Sequence, residues 1–289
     1  MAQQGKAKVW RVFQEKKLLE FLQEKLAVSS LRSLKKELER NCCRINGTVE
    51  RFGSRRVFPS DEVEYVASPP IKQNSLKVLF EHEDFLVVDK PPFFCSSLQA
   101  LTPFFPDVFL THRLDRDTTG CWILAKKKKA ARQLQLLFAK KKIKKTYFCM
   151  VEGCLQQKRG KIETYLGKVG YFSGQSLYAT VNHAQKGRLA VTYWELLQIE
   201  KNASLLKIIP ITGRTHQIRV HMKELGCPIV GDRQYGQENK IWAARSLLHS
   251  ARVNFCYRGR HFDIYSPFPE DFFLCCPQAT LKQYEKNCL

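Results

Sequence analysis

Nine consecutive residues, His112-Arg113-Leu114-Asp115-Arg116-Asp117-Thr118-Thr119-Gly120, constrain this chain more than any other stretch. They set one carboxylate, Asp115, between two arginines, and small turn-forming residues follow at once. A carboxylate held among cations stays ionised well below neutral pH. Standing alone it makes a poor metal site and a good nucleophile. The segment reads as a loop that leads into a strand at Cys121 to Ala125. Its partners come later, in Lys145-Thr146-Tyr147 and in Gly213-Arg214-Thr215-His216-Gln217-Ile218-Arg219-Val220-His221.

These segments, in this order and spacing, resemble the motifs of pseudouridine synthases of the RluA type, which isomerise uridine in ribosomal or transfer RNA. The resemblance runs from about Leu76 to about Phe268. It continues past the third segment through Gly226-Cys227-Pro228-Ile229-Val230-Gly231-Asp232 and Tyr235-Gly236. It implies three catalytic roles. Asp115 acts at the ribose, Arg219 is its ion-pair partner, and Tyr147 is a stacking platform for the uracil ring with its hydroxyl near C5. It also implies substrate contacts at Arg113, Arg116, Arg214 and His216, and at Leu248, whose Leu-His pair resembles the family's last motif and lines the base pocket.

The residue types suit that chemistry independently. Isomerisation breaks the bond from ribose C1′ to N1, turns the base, and joins C1′ to C5. It needs no cofactor, metal or redox step. Asp115 fits either attack at C1′ or removal of the C2′ proton, and both routes stay open. Arg219 can hold a carboxylate through its planar fork, and its neighbours Ile218, Met222 and Leu225 form an apolar stripe. Arg214 competes for that role and reads better as a phosphate or turn contact. Asp117, before Thr-Thr-Gly, reads as a turn residue. His112, His216, His221 and His249 lack the spacing of a metal site and read as hydrogen-bonding scaffold.

Composition adds a partner. The 289 residues carry Lys+Arg 48 against Asp+Glu 27, a net charge of +21. Charge of that size, clustered in the runs Lys126 to Lys129 and Lys140 to Lys145, points to a polyanion such as RNA. The cysteine count of 11 is odd, no Cys-x-x-Cys occurs, and no apolar leader is visible, which predicts free thiols in a reducing, cytoplasmic setting. No stretch is apolar enough to suggest a membrane span, and the chain reads as a monomer.

The first part of the chain predicts a separate small module over 16–67, after an N-terminal tail at 1–15. Leu18, Leu19, Leu22 and Leu26 recur at helical spacing. A second helix from Ser30 to Arg40 sets Leu31, Leu34 and Leu38 on one face, and Arg32, Lys35, Lys36 and Arg40 on the other as RNA contacts. Asn46-Gly47 signals a hairpin. Two basic helices on a small hairpin sheet resemble an RNA-binding module first recognised in a ribosomal small-subunit protein. Asn41 stands where that module usually has glycine, and Ser60-Asp61 replaces its usual Gly-Asp turn. A helical extension packed on the main domain is the alternative.

Residues 68–75, with two prolines, read as a linker. Beyond it, strands at Leu76 to Phe80, Phe85 to Asp89, Tyr147 to Val151 and Leu205 to Pro210 mix with helices at Lys128 to Lys140 and Thr215 to Leu225. Thr215 is expected to cap the last helix and Gly226 to end it. There is no βα alternation and no phosphate-binding glycine motif. The prediction for 76–289 is therefore an α+β domain with a largely antiparallel mixed sheet flanked by helices. Relatives with such an N-terminal module mostly act on large-subunit ribosomal RNA. A transfer RNA substrate, a non-catalytic RNA-binding protein and a glycosidase-like enzyme are the alternatives, and the last would need a second carboxylate.

Overall fold

Leu18, Phe21 and Leu22 fall on one stripe of the first helix and are buried there. The computed structural model describes residues 7–67 (29 and 39 excepted), 76–172, 175–182, 187–200, 202–236, 241 and 243–288. The expected linker, 68–75, lies outside the described residues. The chain divides into two units, one of residues 1–71 with 237–245, the other of 72–236 with 246–289.

The first unit runs β1 (Lys8–Arg11), β2 (Lys16–Lys17), α1 (Leu18–Leu26), α2 (Leu31–Leu38), β3 (Cys43–Ile45), β4 (Thr48–Val49), β5 (Arg56–Val57) and β6 (Glu62–Tyr65). Its sheet has the order β1-β6-β3-β4, and β2 pairs with β5. The stretch expected to be a tail thus contains a strand, paired antiparallel from Lys8 with Tyr65 to Arg11 with Glu62. Asn46 and Gly47 take φ of 50° and 78° and close the β3–β4 hairpin as expected. In α2, Leu34 and Leu38 are buried, but Leu31 is 41% exposed. Asn41 and Ser60 both adopt left-handed φ, 57° and 80°. The backbone there demands the conformation that glycine adopts freely. Asn41 tolerates it and puts its amide to use: Nδ2 donates to the Ala243 carbonyl at 2.9 Å, and Oδ1 accepts from Arg51 Nε at 2.7 Å.

The second unit runs β7 (Lys77–Glu81), β8 (Phe85–Lys90), α3 (Leu98–Leu101), β9 (Phe109–Leu110), β10 (Thr119–Ala125), α4 (Lys128–Ala139), β11 (Lys144–Glu152), β12 (Arg159–Phe172), β13 (Gln175–Thr180), β14 (Arg188–Glu200), β15 (Ala203–Pro210), α5 (Gln217–Glu224), β16 (Leu248–Tyr257), β17 (Arg260–Tyr265) and α6 (Gln278–Cys288). Its sheet has the order β13-β12-β14-β15-β11-β16-β10-β8-β7, with β17 added on β16 and β9 on β10. This is the α+β architecture expected. Among the described strands the parallel contact is between β10 and β16, at Thr119 with His249 and Gly120 with Ser250.

Every residue of β10 is buried. Strand geometry sends alternate side chains to opposite faces, so Trp122 and Leu124 join one core while Cys121, Ile123 and Ala125 join the other. Helix α5 supplies Ile218 and Met222 to the first core, together with Leu114, Tyr147 and Leu248. Helix α4 supplies Ala130, Ala131 and Leu134 to the second. The motif residues therefore collect on one face of the central strands. No helix among the described residues is long and apolar enough to cross a membrane.

Candidate active site

The loop that carries Asp115 is held from both sides. Lys90, wholly buried at the end of β8, donates its ammonium hydrogens to the carbonyls of Pro91 (3.0 Å), Arg116 (2.9 Å) and Thr118 (2.8 Å). Ser96 Oγ donates to the Leu114 carbonyl at 2.8 Å and accepts from the Leu114 amide at 3.2 Å. The Thr118 amide donates to the Asp115 carbonyl at 3.1 Å and closes a turn over Arg116 and Asp117. Beyond the turn, Thr119 Oγ1 meets His249 Nδ1 at 2.9 Å. Gly120 follows at φ 102°, where an added Cβ would lie 2.2 Å from the Ser250 carbonyl oxygen. The small residues of the motif thus let β10 approach β16 and fix where Asp115 emerges.

Asp115 faces Arg219. Their closest approach is 3.6 Å, from Nη1 to Oδ2, and the Asp115 side chain is 25% exposed. The planar fork of Arg219 points elsewhere. Nε donates to Asp232 Oδ2 at 2.6 Å, Nη2 donates to Asp232 Oδ1 at 2.8 Å, and Nη2 also donates to Gln234 Oε1 at 3.2 Å. The expectation of two parallel bonds to Asp115 is therefore corrected: those bonds belong to Asp232, and Asp115 meets the third nitrogen. Burial opposes the charge on Arg219, but Asp232 and then Asp115 outweigh it and raise its pKa. Burial likewise opposes the charge on Asp232, yet Arg219 and the amides of Gln234 and Tyr235 hold its carboxyl below the ordinary carboxylate range.

Tyr147 stands on β11, paired with Ile208 on one side and Ser250 on the other, beside a bulge between Thr146 and Tyr147. It is only 8% exposed and forms part of the first core. Burial pushes its hydroxyl up to about 12, a hydrogen bond with Ser250 opposes that, and the charge of Asp115 adds to it. The ring is thus a core residue that also senses the site carboxylate. Leu248, 3% exposed, packs in the same core.

His216, not Thr215, caps α5, and it does so at φ 56° without a side-chain cap bond. The turn before the helix is held instead by Gln217, whose Oε1 accepts from the Arg214 amide (3.0 Å) and the Thr212 hydroxyl (2.7 Å). Gly226 ends the helix as expected: at φ 77° it lets Cys227 donate to the Met222 carbonyl at 3.1 Å. Tyr235 Oη accepts from the Tyr178 amide at 3.1 Å and lies 2.7 Å from His216 Nδ1. Burial lowers the His216 pKa, with Asp115 working in the opposite sense. Arg214 donates from Nε to the Leu189 carbonyl at 3.0 Å and so serves the turn. Arg113 is exposed, and Arg116 lies over the Phe93 ring at 5.7 Å.

His112, His221 and His249 are scaffold. His112 Nε2 accepts from the Ile123 amide at 3.0 Å, and His221 lies between the hydroxyls of Thr192 (2.8 Å) and Thr164 (3.1 Å). His249 Nε2 lies 3.1 Å from the Ser266 carbonyl oxygen. One group of described residues, His82, Glu83 and Asp84, brings possible metal ligands together. Asp84 is instead ion-paired with Lys127 at 2.8 Å and Arg258 at 2.7 Å. In the first unit Arg32 and Lys35 are exposed on α2, whereas Arg40 lies past its end and pairs with Glu37 at 3.3 Å. The side chain of Lys36 lies outside the described residues. Sequence reasoning assigned no role to Asp232, Tyr235 or Lys90. Asp232 lies in the Gly231-Asp232 pair of the third segment, which signals its importance but not its partner.

Residues 84–224 match the family of RNA pseudouridylate synthases. Ribosomal large subunit pseudouridine synthase C of Buchnera aphidicola subsp. Baizongia pistaciae is 34% identical over 214 residues, 68% of this chain and 67% of that one. The chain belongs to this family. The dual-specificity RNA pseudouridine synthase RluA of Vibrio cholerae is 28% identical over 237 residues, 75% of this chain and 91% of its own, which places the chain with the RluA type. An uncharacterised RNA pseudouridine synthase of Zymomonas mobilis is 42% identical over 142 residues, 49% of this chain and 64% of the relative. The chain thus spans about two thirds of the length of the curated relatives first matched. The solved human RNA pseudouridylate synthase domain containing 1 superposes with a TM-score of 0.64 at 25% identity, over 76% of this chain and 97% of its own.

Proposed function

We propose that this pseudouridine synthase family member isomerises uridine to pseudouridine in structured RNA, with large-subunit ribosomal RNA as its substrate. The observation that carries the reading is Asp115: a quarter-exposed carboxylate, fixed by its loop, facing one nitrogen of Arg219 whose other two are bound to Asp232. Such an acid is oriented, with an open side toward a substrate. It attacks C1′ or takes the C2′ proton, and in either case the bond to N1 breaks. Arg219 pairs with the carboxylate, and Tyr147 and Leu248 offer the ring and apolar wall against which the detached base turns. Tyr147 remains a neutral phenol near pH 7, which suits ring contact and a hydroxyl hydrogen bond better than a free phenolate. The base must leave its stack to reach this site. Arg113, Arg116, Arg214 and His216 are the nearby substrate contacts.

The ribosomal substrate rests on the name of the Buchnera relative and on the resemblance of residues 16–67 to an RNA-binding module, in which Arg32 and Lys35 offer phosphate contacts. RNA carrying uridine tritiated at C5 tests the activity, because joining C1′ to C5 expels that hydrogen whereas binding or hydrolysis retains it. Release from large-subunit ribosomal RNA and not from transfer RNA supports the substrate; the opposite pattern reassigns it. Retention in every RNA tried removes the reading.

A further inference from the structure

From Lys126 to Lys145 the chain holds no acidic residue. The first cations of this stretch are paired, Lys126 with Glu81 and Lys127 with Asp84. The rest are not. Lys128, Lys129 and Arg132 near the start of α4 are exposed, as are Lys140, Lys141, Lys142 and Lys144 after it. Among the described residues none of these makes an ion pair or a side-chain hydrogen bond. Elsewhere exposed cations find acids: Lys17 with Glu20 at 3.9 Å, and Arg56 with Glu15 at 2.5 Å.

Helical spacing arranges the unpaired set. Lys128, Arg132, Leu136 and Lys140 follow one another at four-residue steps and form one exposed stripe, with Leu136 56% exposed. Like charges at that spacing weaken a helix by a few tenths of a kcal/mol per pair. Lys128 and Lys129 also occupy the first turn, where the helix dipole already places positive charge. The arrangement costs stability in the free protein, and a polyanion reverses the sign of each of these terms.

The stripe also leads to the site. Helix α4 packs on the face of the sheet opposite Tyr147, but its end turns back into β11. Phe138 at that end lies against His112, ring centroids 4.4 Å apart, three residues before Asp115. Three strand steps, about 10 Å, separate Lys144 from Tyr147. The stripe itself is about 18 Å long for a twelve-residue helix, enough to meet several successive phosphates.

We propose that the exposed cations of α4 and of the turn into β11 form a docking surface for the phosphate backbone of RNA flanking the target nucleotide. Contact there is independent of base sequence, because it is made by flexible ammonium groups without a reader of base edges. It rests on the reading above only in that the flanking RNA belongs to the substrate. The surface would hold the nucleic acid while Asp115 acts on the extruded nucleotide.

The test replaces Lys140, Lys141, Lys142 and Lys144 together by glutamine in the full chain, with Lys207→Gln as control. Binding of a ribosomal RNA fragment is measured from low to high salt, and single-turnover pseudouridine formation is measured at saturating RNA. Each lost phosphate contact lowers the slope of log affinity against log salt by roughly 0.7 to 0.9. The expected result is a slope reduced by about 2 or more, at least tenfold weaker binding at moderate salt, and a saturating rate within twofold of the parent. Relief of like-charge crowding leaves the thermal midpoint equal or higher, so misfolding is checked directly; if the fourfold variant fails to fold, the pair Lys141→Gln and Lys142→Gln takes its place, with about half the slope change. An unchanged slope and affinity overturns the proposal. So does displacement by polyglutamate as readily as by RNA of equal charge, which would assign the surface to an acidic protein. If the parent makes no pseudouridine at all but the slope still changes, the proposed reaction fails and the docking surface stands.

Discussion

Arg219 places one nitrogen, Nη1, 3.6 Å from Asp115 while its other two grip Asp232 at 2.6 and 2.8 Å. The site arginine is thus anchored by one carboxylate and offered to another. A guanidinium allows this because its donors lie in a rigid plane and point in different directions. A lysine at the same position has a single charged atom and would have to choose.

Arg219→Lys should accordingly be far more damaging than a like-charge exchange suggests, and Arg214→Lys much less so. An imperfectly paired buried charge costs on the order of 2–5 kcal/mol, which is tens- to thousands-fold in rate when felt at the transition state. Arg214 makes one bond to the Leu189 carbonyl, which a lysine can imitate. Single-turnover rates on one RNA decide the matter; a slower Arg214→Lys enzyme would mean that the wrong arginine has been given to Asp115.

Asp232→Asn should slow isomerisation without touching the reacting atoms. The residue is fully buried, so losing its charge leaves the Arg219 cation poorly matched. We expect a rate reduced ten- to several-hundredfold, RNA affinity within about threefold, and stability lower by about 3 kcal/mol. A variant that is destabilised but turns over at the parental rate at low temperature would show that Asp232 only supports the fold.

Gly120→Ala should be among the most destructive single changes. It adds a methyl 2.2 Å from a backbone oxygen, at a φ of 102° that other residues rarely adopt. Neither β10 nor β16 can yield without breaking the parallel contact that fixes the aspartate loop. A loss of more than about 3 kcal/mol is expected, read as a collapse of the thermal midpoint; a loss below about 1 kcal/mol would mean that the two strands separate easily.

Acid should destabilise the protein through buried histidines. Burial pushes His221 from 6.5 down to about 4, and His112 from 6.5 down to about 3. Above pH 6.5 each is neutral both folded and unfolded. As pH falls below 6.5 the unfolded chain takes up a proton that the folded one refuses, so stability drops until about pH 4 for His221 and about pH 3 for His112. Between pH 7 and 5, His221→Gln should lose less in thermal midpoint than the parent does. Equal losses would mean that this imidazole protonates within the fold.

Much of this was readable in the sequence. Leu18 and Leu22, the Asn46-Gly47 hairpin, the β8 and β10 strands and helix α4 announce themselves by periodicity and turn chemistry, because each is decided by neighbours close along the chain. The ion pair of Asp115 with Arg219 was legible in the sequence, and Tyr147 packs in the core shared by their neighbours Leu114 and Ile218. The partner of the Arg219 fork was not legible, since it chooses between two carboxylates only once the Gly231-Asp232 turn has folded beside α5. The long strands β12 and β13 escaped notice for another reason. Among the described residues of both, only Leu166 is buried, so no apolar alternation marks them. The three carbonyl partners of Lys90 come from loops that sequence alone does not bring together.

The central claim is that the Asp115 carboxylate carries out the reaction. Asp115→Asn keeps the size and the loop while removing the charge. Tritium released from C5 of uridine in RNA is measured for parent and variant, with RNA affinity measured in parallel. A carboxylate that is covalent or directly basic predicts a loss beyond about a thousandfold with affinity within a few fold of the parent. Release by the variant within tenfold of the parental rate would contradict it.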